Sequence, residues 1–467
     1  MVYAEGNIED DLSGFNEEIS NDLDGFTEGT EDDLSGFDEE DTLIVNDIDD
    51  VEEDNFILGG DIAFKTSVGY VGHKVDGVEY SGINQAQTAL YLQLDGKLND
   101  DWKVRISADA FYDAIYDIRS NERYSHEILD DYRTQLQLDD TYIQGRISSN
   151  MDLKAGRQVV VWGRSDNIRI TDLINPLDNR LPGMTDIEDL RLSVGMAKLD
   201  YYVGQWNLSA MLIAESRIMM EPTPGGEFFP VNNIYQVPGG VVYPFPDLIT
   251  PSTSWDNMQY ALSVNGMFSG WDLSFYAADV LDQKWHFITN PLAGVALSER
   301  TVSKIKMLGS AVNLIYGSWL FKSEVAFLNG VKYNSTPDEK NRLDALIGLE
   351  YMGISDTIIS VEVANRHIFD YEQQMQYQPD FVDQNEVQSA LRITRSFAND
   401  TLDVTALINM FGARGENGGF ARIWFEYALM DAVSANVGLV DYIGGDKPYL
   451  EALKNNDRIF ADITYSF

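Results

Sequence analysis

Six basic residues, Lys154, Arg157, Arg164, Arg169, Arg180 and Arg191, gather between positions 154 and 191 of a chain with only 33 Lys and Arg against 76 Asp and Glu. Guanidinium groups interspersed with Asp172 and Asp178 can pair with carboxylates across a confined polar space, and such pairs set the width and charge preference of a passage. The other chemistry-bearing residues point away from catalysis. The four histidines, His73, His126, His286 and His367, have no paired-ligand spacing, and no serine stands in a nucleophile elbow. Cysteine is absent, which removes thiolate metal sites and thiol nucleophiles. No metal, cofactor or enzymatic activity is expected. The formal charge of −43 makes nucleic acid an improbable partner.

The elements that must position these arginines read as strands. In 102–114, Trp102, Val104, Ile106, Ala108, Ala110, Tyr112 and Ala114 share one face, opposite Lys103, Arg105, Ser107, Asp109 and Asp113. The same period of two recurs at 56–71, 83–97, 101–118, 132–147, 151–162, 190–203, 205–217, 255–268, 271–280, 303–316, 319–329, 342–354, 356–367, 386–397, 400–411, 419–429, 432–441 and 457–467. Short polar turns alternate with long irregular segments, the habit of outer-membrane barrels. All thirteen prolines fall in the long segments; a closed barrel has no edge strand to tolerate them. The expected fold is an all-β, antiparallel up-and-down transmembrane barrel of about 18 strands, with 16 as the alternative, preceded by a disordered acidic arm.

The final strand carries Ile463, Tyr465 and Phe467 on its apolar face. An aromatic last residue resembles the signal by which the barrel-assembly machinery takes up bacterial outer-membrane barrels.

Gly156-Arg157-Gln158, Trp162-Gly163, Asn175-Pro176, Asp178, Arg180 and Pro182-Gly183 together resemble the signature of a family of proteobacterial outer-membrane barrels of unassigned function. The resemblance is strongest over about 150–260. Genes of that family commonly lie beside inner-membrane RND-type lipid exporters and LolA/LolB-like periplasmic carriers. It therefore implies a transport conduit for lipid-like or hydrophobic molecules, surrounded by outer-membrane lipid and lipopolysaccharide. A self-sufficient diffusion porin and a structural anchor with a plugged lumen are the alternatives.

Trp162-Gly163 is expected to end the fifth strand at the outer rim and turn the chain inward. The loop 163–190 then enters the lumen through a helix-like turn at ITDLINP, with Arg157, Arg164, Arg169, Asp172, Asp178, Arg180 and Arg191 forming a constriction. Strict alternation sets Arg157 on the face of Leu153, so either a bulge at Gly156 resets the register or Arg157 lies outside the lumen. The long loop 218–254 is rich in apolar residues, Phe228 and Phe229 among them; it could cap the barrel, bind an apolar ligand or pack against its neighbour loops, and packing is the expectation.

About half of the net charge sits in residues 1–55, which hold 22 carboxylates and no base. Such a stretch cannot offset its ordering entropy. Val2-Tyr3-Ala4 looks like the end of a secretory signal peptide, giving an exported chain that begins at Glu5. Within the arm an Asp-Leu-x-Gly-Phe unit recurs every eleven residues, with Leu12 and Phe15, Leu23 and Phe26, Leu34 and Phe37. An acidic spacer would explain the charge but not the retained Leu and Phe. Three copies on a periplasmic tether suit multivalent docking to a basic, apolar groove on a periplasmic carrier or inner-membrane RND transporter. Replacing these six residues with Ala is expected to abolish capture of such a partner in a pull-down while the barrel still folds; unchanged capture would refute the docking role.

Overall fold

Alternation places successive side chains on opposite faces of a strand, and in a membrane barrel those faces meet lipid and lumen. The computed structural model describes residues 55–75, 77–229, 247–290 and 295–467. The six repeat residues, Leu12, Phe15, Leu23, Phe26, Leu34 and Phe37, lie outside the described residues, as does the centre of the long loop, 230–246.

Eighteen strands build the wall: β1 Phe56–Gly69, β2 Gly82–Asn99, β3 Trp102–Asp113, β4 Thr134–Ser148, β5 Met151–Gln158, β6 Val194–Val203, β7 Trp206–Ile213, β8 Gln259–Phe268, β9 Trp271–Leu281, β10 Lys304–Tyr316, β11 Trp319–Val331, β12 Lys340–Ile354, β13 Thr357–Ile368, β14 Asn385–Phe397, β15 Leu402–Phe411, β16 Gly418–Met430, β17 Val433–Ile443 and β18 Arg458–Ser466. Each pairs antiparallel with its neighbours in the chain, and β1 also pairs with β18, from Asp61↔Ser466 to Gly69↔Arg458. The barrel is closed. Beyond β18, Phe467 and Gly60 exchange backbone hydrogen bonds at 3.0 and 2.9 Å, so the last residue completes the ladder. Ile463, Tyr465 and Phe467 face outward, 55 %, 48 % and 48 % exposed.

The outer face carries exposed Phe64, Leu92, Leu138, Leu212, Leu262, Phe275, Leu308, Phe321, Ile347, Val361, Ile393 and Phe425, an apolar belt that hydrocarbon can cover. At the tight-turn end, Trp271 stacks on Phe268 at 4.3 Å and Trp319 lies 4.4 Å from Tyr351, part of the aromatic girdle expected at an interface. The turns there use φ > 0, as at Gly204 (61°) and Asp356 (54°), which lets two-residue connections follow strand twist.

Expected and observed strands coincide in number and order, and the boundaries that move have local causes. The third strand ends at Asp113 because Ile115–Ile118 turns into a short helix. The fifth ends at Gln158 rather than 162, and the seventh at Ile213 rather than 217, where the chain leaves the wall. ITDLINP forms bends and no helix.

Phe425 is exposed on the outer face of β16, within the apolar belt, beside Glu426, which lines the inner cavity. Phe425→Arg is expected to cost about 2–4 kcal/mol of folding stability in phospholipid vesicles, measured by denaturant titration, while Glu426→Gln leaves it within experimental error.

Candidate functional site

The site begins where β5 leaves the wall. Its pairing with β4 and β6 runs through Gly156 without a shift. Alternation is therefore kept, and Arg157 shares the face of Leu153, opposite the buried Lys154 and Gln158. Gly156 has φ +135°, and a Cβ there would lie 2.2 Å from the Thr141 carbonyl oxygen. Only glycine fits.

Past Gln158 the ladder is continued by a side chain. The fully buried Asn175 amide accepts from the Val160 N–H at 2.8 Å and donates to the carbonyls of Gln158 at 3.2 Å and Leu192 at 2.8 Å. One residue thus satisfies the ends of two strands whose backbone groups would otherwise be orphaned.

The chain then crosses the lumen. Trp162 stacks on Tyr276 of β9 at 4.7 Å, and Gly163, φ +93°, presses against Glu324 of β11, whose carboxylate oxygens lie 2.8 Å from where a Cβ would be. That carboxylate, 2 % exposed, accepts from the N–H groups of Arg164 (2.6 Å), Ser165 (2.8 Å) and Thr171 (3.2 Å) and from the Thr171 hydroxyl (2.8 Å). Two strands on, Glu362 of β13 accepts from the N–H groups of Asp166 at 2.9 Å and Asn167 at 3.1 Å. Successive backbone donors converging on a carboxylate form an anion-binding nest. Here the anions belong to the wall.

Charged side chains reinforce it. Arg164 reaches Asp272 at 2.8 Å and Ser274 at 2.9 Å, Lys322 bridges Asp166 (2.5 Å) and Glu350 (3.1 Å), and Arg366 donates to the Arg169 carbonyl at 3.1 Å. Val160, Ile168, Ile170 and Ile174 join an apolar core with Met307, Ala326, Leu328 and Leu346 of the wall.

The second half of the loop extends the crossing. Asp172 lies between Arg169 and Arg191, 3.0 Å from each; burial pulls the Arg169 guanidinium below its ordinary pKa while Asp172 opposes the shift. Asp178 pairs with Arg180, which also donates to Gln135 of β4 at 2.6 Å. The Tyr442 hydroxyl of β17 donates to the Pro182 carbonyl at 2.6 Å, and Asp186 meets Arg392 at 2.9 Å and Arg422 of β16. The loop therefore touches wall strands from β9 round to β17.

The structure brings Arg169, Asp172 and Arg191 together inside the barrel, pairs Arg164 separately with Asp272 of β9, and sets Asp178 and Arg180 at the wall of a cavity. Arg157 is elsewhere: with no bulge at Gly156 it stays on the outward face, paired with Glu215. The residues that sequence reasoning missed are the wall partners, Glu324 and Glu362 above all. Their signal was a charge at an inward position of an alternating strand. In the described part of the long loop, Phe228 is buried 5.8 Å from Tyr442 of β17 and Glu227 pairs with Arg458 of β18 at 2.7 Å.

Between the loop and the inner faces of β1–β4 and β16–β18 lies a cavity of about 800 Å³. Twelve carboxylates and five cationic side chains line it. Four of those cations, Arg180, Arg191, Arg422 and Arg458, are already paired with carboxylates.

Residues 79–467 match a family described as protein of unknown function DUF1302; the chain belongs to that family. None of the curated proteins matches the sequence. Among solved structures it is similar to OccK8 (OprE) of Pseudomonas aeruginosa, at 9 % identity and TM-score 0.50, covering 88 % of this chain and 98 % of that one. It is likewise similar to OccK5 (OpdH) of the same organism, at 8 % identity, TM-score 0.50 and the same coverage, and to the outer membrane protein OpdK, at 9 %, 0.49, and 88 % and 99 % coverage. At such identities the likeness is one of fold, that of outer-membrane barrels.

Removing both wall carboxylates, Glu324→Ala with Glu362→Ala, orphans buried N–H groups at a cost of about 1–3 kcal/mol each. Trypsin is then expected to cut after Arg164 or Arg169 in the folded double variant and not in the unaltered barrel; equal resistance would show that the carboxylates do not hold the loop.

Proposed function

We propose that this member of the DUF1302 family is a selective conduit of the outer membrane, in which segment 159–193 is a fixed partition and the cavity beside it is the path. The lining carries this reading, because an excess of carboxylates over cations in a narrow passage with low-dielectric walls concentrates cations and repels anions. The paired arginines fix the partition, and Asp109, Asp139 and Asp140 are among the carboxylates that line the path.

The finer expectation, lipid-like or hydrophobic cargo passed on with a periplasmic carrier or RND transporter, draws its support from the family resemblance and the repeats. The lumen favours such cargo where it bears a positive charge.

In planar bilayers under a potassium chloride gradient the purified barrel is expected to give a reversal potential on the potassium side, reduced when Asp109, Asp139 and Asp140 are changed to Asn. Anion-selective current would overturn the proposal. A barrel silent on its own would replace the free-standing conduit with one opened by a partner.

A further inference from the structure

Where β5 turns inward, the wall loses a strand. β4 pairs with β5 only up to Thr141↔Arg157, so from Thr134 to Asp140 one edge of β4 meets β3 and the other, among the described residues, meets no strand. Hydrocarbon offers no partner to such an edge.

Side chains stand in the gap. The Arg157 guanidinium donates to the Leu138 carbonyl at 3.0 Å and to Glu215, just past β7, at 3.1 Å. Arg217 donates to the Ser193 carbonyl, just before β6, at 2.7 Å and to the Gln137 side chain at 2.9 Å. On the lipid side Leu136 and Leu138 are 81 % and 49 % exposed. On the other side Gln137, Asp139, Val159 and Leu192 line the carboxylate-rich cavity. A single unpaired strand edge, bridged by two arginines, separates that cavity from the membrane.

We infer that the gap between β4 and the ends of β5–β7 is a lateral portal, through which an amphiphile with a positively charged head passes between the lipid and the cavity. The inference rests on the conduit reading above and names its cargo class. Asp139 and Asp140 lie just inside to receive the head, while Leu136, Leu138 and the 37 % exposed Val161 give the chain an apolar track. The latch consists of side chains alone, the Arg157–Glu215 pair being about one-third and one-quarter exposed, so it opens by rotation of side chains with no strand ladder to break. A closed backbone ladder in lipid would hold far more firmly.

The test uses the full chain in phosphatidylcholine vesicles, with stopped-flow transfer of dansyl-tagged dodecylammonium from donor vesicles and dansyl-tagged dodecyl sulfate as the anionic counterpart. The ammonium probe is expected to transfer and the sulfate probe not. Arg157→Ala with Glu215→Ala should accelerate ammonium transfer about fivefold, equivalent to about 1 kcal/mol, and Leu138→Trp, which fills the gap, should slow it. If the double variant does not show the heat-modifiable migration of a folded barrel, Leu138→Trp and Arg157→Lys carry the comparison. Transfer that ignores every variant, or that favours the sulfate probe, overturns the portal even where cation-selective current in the unaltered barrel upholds the conduit. Absence of that current overturns the conduit, and the portal with it.

Discussion

The Glu324 carboxylate is the contact on which the interior of this barrel depends. It is buried and takes four donors from a loop that leaves the wall six strands away, at β5. A charge removed from water is tolerated when hydrogen bonds replace its solvation, and here the replacements are backbone N–H groups of a segment with no ladder of its own. The wall carboxylate and the loop each supply what the other lacks. With Glu362 repeating the arrangement two strands away, the loop is seated on wall residues rather than suspended in the lumen, and the apolar side chains beneath it pack as a core.

The wall was legible because its pattern is short-range. A period of two, prolines confined to connections and tight turns alternating with long loops each follow from what hydrocarbon forbids, namely unpaired backbone and buried charge. Eighteen strands stand in the order those constraints give, with shifted boundaries in a few of them. The exceptions are informative. Val159, Val160 and Val161 are β-branched, so local preference extends β5; the chain leaves the wall at Gln158 because Asn175 supplies the next partner from within the lumen. Tertiary contact overrode propensity there.

The site was legible only in part, because its pairings are long-range. The arginine-rich segment could be marked as unusual, yet Arg164 meets Asp272 across 108 positions and Glu324 across 160, and Asp166 meets Glu362 across 196. Alternation shows that a charge points inward without showing what faces it. Arg157 illustrates the reverse case: it was expected in the constriction against strict alternation, and it stands on the outward face, where its partners are the Leu138 carbonyl and Glu215.

A single event, the inward turn at Gln158, underlies both the partition and the gap. A chain that leaves a closed sheet removes one strand's length of backbone partners from its neighbour, and in a membrane that deficit must be made good locally. On one side it is made good by Asn175, a compact neutral amide, and on the other by Arg157 and Arg217, long and charged. The difference matters. An amide buried among three backbone partners is fixed, whereas a guanidinium on a long side chain, shared between a carbonyl and a quarter-exposed carboxylate, has other rotamers to adopt. The same turn therefore gives the barrel one permanently sealed seam and one that side-chain motion alone can open.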